Sequence, residues 1–359
     1  MSDPFGHGGD RLAARVHDRW LARICREGAV PELLEALAAR LSPTDLQTLL
    51  LEVYRRRAAA VTPARLLHVY ERNRFTRPSA LDAGELARLE ALVHGVLGSH
   101  AFTSVALSPL CPLGTVSAVA TVDQNKVVTT VRTTEVVADA TNVLALECAA
   151  RRRDLLRSDP RSRQLVRLAA IHQVVRAQSF AAPGMAAHFA LLGLCTAGRD
   201  EGSFTFETAA LVEQIGAHLD ILDSVHDLGY RVTAVRVSVT DLTAGRHRRV
   251  LREKVLDPLA QAHPDTAFAF DDDRTGGHGY YRGACFEIRA TTPAGDDLNV
   301  GDGGFVNWSA ALLDNAKERL LISGLGLERL CERFRLPESS NQMDARPSMP
   351  GPHEMPALP

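Results

Sequence analysis

The sequence predicts an α+β protein in which an all-helical N-terminal domain precedes a core of mixed strands and helices. Three observations carry this expectation. Residues 11–100 hold one helix-periodic apolar segment after another, divided by Gly, Pro and Ser signals. Near His100 the texture turns to β-branched residues and the helical period disappears. Beyond Val137, strand-like and helix-like segments alternate as far as Leu336.

In the N-terminal part, the segments RLAARVHDRWLARICREG, PELLEALAARLS, PTDLQTLLLEVYRRRAAA, PARLLHVYERNRF and DAGELARLEALVHGVLG each read as a helix. Pro31, Pro43 and Pro63 stand where a first helical turn tolerates proline, and Ser42 and Thr62 precede two of them as N-caps. The arginines of these helices read as solvated surface. The other reading is a basic face for RNA, whose binding would fall steeply with salt. Residues 1–10 carry no periodicity and are expected to be disordered.

The core, residues 101–336, opens with strand-like VSAVATV and KVVTTVRTTEVV. A helix follows at ADATNVLALECAARRRDLL, with Asp139 or Thr141 as its cap. LAAIHQVVRAQSF and AAHFALLGLCT read as an antiparallel hairpin turning at Pro183 and Gly184. Period-2 alternation puts Val174, Arg176 and Gln178 on one face, with Arg176 in mid-strand. FETAALVEQIGAHLDIL is an amphipathic helix, RVTAVRVSVTDL a strand, LREKVLDPLAQAH a helix and FAFDDDRTGGHG a loop. YYRGACFEIRA is a strand carrying Tyr281, Gly283, Cys285 and Glu287 on one face, NVGDGGF a glycine-rich turn, and SAALLDNAKERL a helix. RLLISGLGLERLCER then reads as strand, tight turn at Gly324 and Gly326, and helix, with Leu327, Leu330, Cys331 and Phe334 at helical spacing. Residues 337–359 are rich in proline and polar residues and are expected to be a disordered tail.

Composition excludes several classes. A net charge of -2 gives no global case for nucleic-acid binding. Six scattered cysteines without a C-x-x-C pair argue against a zinc cage or a disulfide framework and suit the cytoplasm. No apolar run approaches a membrane span, and the N-terminus lacks a signal-peptide pattern.

Two arginines stand out chemically. Arg176, flanked by valines, needs an anion or a path to water, and a structural salt bridge or a bound ligand would each serve. Arg329 falls in the first turn of a helix, where a cation is poorly placed unless an anion is bound nearby. The plainer reading is a solvent-facing arginine at an ordinary strand-to-helix corner.

The stretch GLGLERL, Gly324 to Leu330, resembles the third signature of class II aminoacyl-tRNA synthetases. VVRAQ, followed by a proline-glycine turn and HF, resembles the second. GGHGYYRGACFEI, from Gly276, is similar to the segment Arg-Gly-Leu-Asp-Tyr-Tyr-Thr of histidyl-tRNA synthetases and to its counterpart in the regulatory subunit of ATP phosphoribosyltransferase. VRTTEVVADATN, from Val131, more loosely resembles their Arg-Pro-Glu-Gly-Thr strand. The resemblance implies an antiparallel class II sheet flanked by helices, use of ATP with Mg²⁺, and a homodimer formed around SPLCPLG, Ser108 to Gly114. It makes Arg176 the ligand of the α-phosphate, Arg329 that of the β- and γ-phosphates, and Phe189 the adenine platform. Gln178, Gly324 and Gly326 complete the ATP site, although the family usually carries glutamate where Gln178 stands. Glu135 would hold an ammonium group, with Tyr280, Tyr281 and Glu287 lining the substrate pocket. No protein metal ligands are implied.

Departures shape the functional expectation. The arginine of the histidine-specific segment is Gly276 here, with Arg274 two residues earlier, and DGGF at Asp302 to Phe305 keeps only the glycines of Gly-Gly-Arg-Tyr-Asp. The turn at Pro183 is short, and the stretch after Leu336 is too short for an anticodon-binding domain. The expectation is therefore an adenylate-forming ligase for a small amino acid or related carboxylate, delivering to a protein or small-molecule acceptor and not charging tRNA in the usual mode. The alternative is a catalytically silent paralogue that binds an amino acid and regulates a partner enzyme.

Overall fold

The computed structural model describes residues 10–28, 32–177, 187–276 and 279–336. Gln178, the Pro183–Gly184 turn and the stretch from 337 onward lie outside the described residues.

Helices come first: α1 (Asp10–Glu27), α2 (Leu33–Glu35, continued by a π-helical turn at Ala36–Arg40), α3 (Pro43–Ala59), α4 (Pro63–Arg72) and α5 (Ala83–Ser99). The caps are those the sequence marks. Ser42 Oγ accepts from Asp45 N at 3.1 Å and Thr62 Oγ1 from Arg65 N at 3.3 Å, with Pro43 and Pro63 in the first turns. α2, α3 and α4 bury no residue, and Leu66 and Leu67 of α4 are each 59% exposed. α5 differs. Its Leu89, Val93 and Leu97 sit fully buried in the main hydrophobic cluster.

Next come β1 (Thr103–Ser104), β2 (Leu110–Pro112), β3 (Thr134–Val136), α6 (Ala140–Ser158), β4 (Val166–Val175), β5 (His188–Arg199) and α7 (Thr205–Ser224). β6 (Thr233–Asp241), α8 (Arg248–Leu251), α9 (Asp257–Ala262), β7 (Ala267–Phe270), β8 (Arg282–Thr291), β9 (Asp297–Val306), α10 (Trp308–Leu312), β10 (Glu318–Gly326) and α11 (Leu327–Phe334) complete the core. Eight strands form one sheet in the order β1, β4, β5, β10, β9, β8, β6, β7. The run from β4 to β6 is antiparallel throughout, and only the edge strands β1 and β7 pair in parallel. This is the mixed α+β architecture expected, an antiparallel sheet with helices on both faces. α5, α7 and α11 cover one face and α6 the other.

Several local expectations are corrected. The β-branched stretch 104–137 yields only short strands, because Thr115–Val119 closes a π-helical turn entered through Gly114 at φ +88°. The expected loop after α9 begins as edge strand β7. SAALLDNAKERL gives a five-residue α10 only, since Glu318 opens β10 and is locked there by Arg152. That pair is fully buried and bidentate, at 2.8 and 2.9 Å, and Arg152 also donates to two carbonyls. NVGDGGF is not a turn but lies within β9. Its glycines answer close packing, for a Cβ on Gly304 would stand 2.6 Å from Tyr281 and 2.7 Å from Cys285. Gly324 and Gly326 likewise belong to β10 instead of a turn, and the strand runs directly into α11.

Candidate active site

Strand register places one row of the sheet in line: Ala170, Gly193, Gly324, Asp302, Glu287 and Ser238, on β4, β5, β10, β9, β8 and β6. The row faces α6, since a Cβ on Gly193 would meet Ala140 and Thr141 of that helix. Glycine at 193 lets α6 pack directly on the sheet, whereas glycine at 324 leaves its place in the row without a side chain, with carboxylates to one side.

Arg176 is not in mid-strand; it follows the last residue of β4, and its N–H donates to the carbonyl of Ala187 at 2.8 Å. Its guanidinium donates to Ala138 O at 3.2 Å and Asp139 Oδ2 at 3.3 Å, and lies 5.1 Å from the centroid of the Phe189 ring. Both bonds are longer than the ~2.8 Å of a tight charge-assisted pair. Phe189 is covered by this cation.

Arg329 is exposed in the first turn of α11 and donates to Asn299 O at 2.6 Å. Burial of its guanidinium among surrounding groups draws its pKa below the ordinary value, and the like charges of Arg176 and Arg333 add to this. Two cations near enough to act on each other favour an anion between them. Glu328 beside it is 5% exposed and accepts from Ala190 N at 3.0 Å and Gln173 Nε2 at 3.2 Å, which fixes the start of α11 against β5.

Next to Gly324 in the row stand Asp302 and Glu287. Arg274 reaches them from the preceding loop, with Nη2 3.7 Å from Asp302 and Nη1 4.0 Å from Glu287, while Nε donates to Gly276 O at 3.0 Å. Arg274 thus brings a guanidinium to these two carboxylates from two residues before Gly276. Burial raises the Asp302 carboxyl to about 6; Asp139 and Glu287 push the same way while Arg274 and Arg176 oppose.

Tyr281 is a packing residue, 9% exposed and set against Gly304 and Cys285, whereas Tyr280 stacks edge-on to Tyr281 and Trp308 and lines a pocket. That pocket, about 20 Å³, is walled by Val116, Val122, Val127 and Ala138 and opens on Asp139, Asn142 and Arg176. The Asn142 carbonyl oxygen is buried there without a hydrogen-bond partner among the described residues.

Glu135 does not face this cleft. It is fully buried and accepts from Gly114 N at 2.9 Å, Val116 N at 2.8 Å and Gln124 Nε2 at 2.6 Å, so its carboxylate holds the π-helical turn. The acid at the cleft is Asp139, four residues later. One of its oxygens caps α6 through Thr141 N at 2.9 Å, and the other meets Arg176. The cap signal was present in the sequence, but it did not distinguish a structural cap from a cleft acid.

No family model and no curated protein matches the chain by sequence. Solved structures do. Apo histidyl-tRNA synthetase of S. aureus superposes with a TM-score of 0.53 at 14% identity, over 72% of this chain and 68% of that one. An ATP phosphoribosyltransferase regulatory subunit/histidyl-tRNA synthetase from Bacillus halodurans C gives 0.51 at 14% identity, over 72% and 82%. The chain shares the fold of these two proteins over 72% of its length. Within that fold, Arg176 lies against Phe189 and Asp139, Gly324 stands in register with Asp302 and Glu287, which Arg274 approaches, and Arg329 is exposed at the start of α11, while Glu135 and Tyr281 are buried.

Proposed function

We propose that the chain is an ATP-dependent, adenylate-forming ligase acting on a small amino acid or related carboxylate. The observation that carries this is the pair of cations, Arg176 and Arg329, the first of which lies near enough for its charge to help lower the pKa of the second. In the reaction a substrate carboxylate oxygen attacks the α-phosphorus, the bond from that phosphorus to the bridging oxygen breaks, and pyrophosphate leaves with the electron pair. No protein nucleophile is needed. Arg176 moves from Asp139 to the α-phosphate and uncovers Phe189 for the adenine, while Arg329 holds the leaving phosphates. Among the described residues no group of three His, Cys, Asp or Glu can hold a metal, so Mg²⁺ would be bound chiefly through the phosphates of ATP. Asp139, released by Arg176, receives an ammonium group, with Tyr280 and Glu287 beside it. The small Val- and Ala-walled pocket suits a short side chain. A homodimer through Ser108–Gly114 belongs to this reading, supported by the exposure of Leu110 and Leu113.

A second reading has its own support. Arg176 bound to Asp139 and lying on Phe189 is also how an amino-acid-binding regulatory paralogue without nucleotide would look, and one structural neighbour is named as a regulatory subunit. Mg²⁺-dependent ATP–pyrophosphate exchange, screened across the amino acids, separates the two. The ligase gives exchange with a small amino acid; amino-acid binding by calorimetry with no exchange for any of them moves the assignment to the regulator.

A further inference from the structure

The connection between α4 and α5 touches the core at three points, and each point is next to a proposed nucleotide ligand. Arg74 Nη2 donates to Ala177 O at 2.6 Å, one residue after Arg176. Arg77 O pairs with His188 Nε2 at 2.6 Å, one residue before Phe189. Ser79 Oγ donates to Glu328 Oε2 at 3.2 Å, one residue before Arg329. These contacts join one polar network, because Gln173 Nε2 lies 3.0 Å from His188 Nδ1 and 3.2 Å from Glu328 Oε1. The connection itself is folded by Asn73, whose side chain accepts from Phe75 N at 3.0 Å and whose carbonyl accepts from Thr76 and Arg77.

A side chain that binds phosphate or stacks on a base works only if its backbone is held to within a fraction of an ångström. β4 has just ended at Arg176, β5 is just beginning at Phe189, and α11 begins with the Leu327–Glu328–Arg329 turn. Each site lies at an end of its element, and there the connection adds a hydrogen bond, to the Ala177 carbonyl, the His188 ring and the Glu328 carboxylate.

Resting on the nucleotide reading above, we propose that residues 73–79 form a positioning strap that sets the affinity of the cleft for ATP. Arg74 and Ser79 are its positioning residues. The α2–α4 helices, which bury no residue, are thereby tied to the nucleotide site through the chain that leads out of α4.

The test is titration of the full chain with ATP and Mg²⁺ by calorimetry, for the wild type and for Arg74→Ala, Ser79→Ala and Ser79→Thr. Losing a hydrogen bond to a charged acceptor predicts a roughly tenfold weaker ATP affinity for Ser79→Ala, recovery in Ser79→Thr, and an unchanged thermal midpoint for the core. In an Arg329→Ala background, Ser79→Ala should have almost no further effect, because the residue it positions is gone. Additive losses in that double variant, or unchanged affinity in both strap variants while the wild type binds ATP, overturn the strap alone. Absence of ATP binding by the wild type overturns the nucleotide reading, and the strap's role falls with it.

Discussion

The two faces of the sheet are built from the same strands to opposite ends. On the α7 face, Ser323 of β10 meets His218 Nε2 at 2.8 Å and donates to Gln214 Oε1 at 2.7 Å, and Gln214 passes the network on to Thr196 at 3.0 Å. These groups are buried, and burial drops the His218 pKa to about 3, so the ring stays neutral. One residue along β10, on the α6 face, Gly324 presents no side chain at all, and the groups around it are charged. A buried polar network linked across three elements gives a rigid platform, although His218 Nδ1 has no hydrogen-bond partner among the described residues. A glycine at 324 beside the carboxylates of Asp302 and Glu287 leaves space for a ligand. The difference teaches that the cleft lies where the α6 face, packed elsewhere by that helix, omits a side chain, beside a face that is filled.

The contrast is broken most severely by removing its cations. Arg329→Ala and Arg176→Ala should each lower ATP–pyrophosphate exchange by about 100-fold or more, the size expected for a group that stabilises charge developing in the transition state. Thermal unfolding should hardly move for Arg329→Ala, whose side chain is exposed and makes a single hydrogen bond to a carbonyl. Loss of stability without loss of exchange would assign these arginines to the fold.

The floor comes next. Gly304→Ala would drive a methyl into Tyr281 and Cys285 at 2.6 and 2.7 Å, and overpacking of this kind costs about 1–3 kcal/mol. The thermal midpoint should fall by several degrees, and because Tyr280 packs edge-on to Tyr281, the apparent substrate affinity should fall with it. Gly229→Ala is the reference: it strains a positive φ of +83° but has open space around it, so it should cost stability while leaving the substrate terms alone.

What could be read from the sequence follows the range of the interactions. Caps at Ser42 and Thr62 and the pairing of β4 with β5 depend on neighbours within a turn or a strand, and their patterns are local. Glu135 and Asp139 were not separable that way. Both are acids among Val and Thr residues, and what assigns Glu135 to the fold is its acceptance of N–H groups from residues 11 to 21 positions away. The glycines of β9 suggest a turn by composition, yet their cause is contact with Tyr281, Cys285 and Ser323, invisible until the strands are paired. Arg274 is visible in the sequence two residues before Gly276 but is given no role there, for a third reason. Its loop shifts it by two residues relative to the position the resemblance marks, and only the fold carries its guanidinium back to Glu287 and Asp302.

The smallest expected effect is also the one that most sharply separates the two faces, because it follows protons. His218 on the filled face cannot charge in the working range, whereas burial places the Asp302 carboxyl at about 6, within it. The sign is fixed by charge. Above pH 6 Asp302 is an anion facing the site proposed for phosphate and opposes ATP; as the pH falls through 6 it gains a proton and the opposition ends. ATP affinity of the wild type should therefore rise severalfold between pH 7 and 5, after correction for the nucleotide's own titration. Asp302→Asn should bind as tightly at pH 7 as the wild type does at pH 5, and its remaining pH dependence should be that of ATP alone. If the variant keeps the wild-type profile, the titrating group lies elsewhere, and Glu287, across the pair from Asp302 and within reach of Arg274 and Arg289, is the next carboxylate to replace.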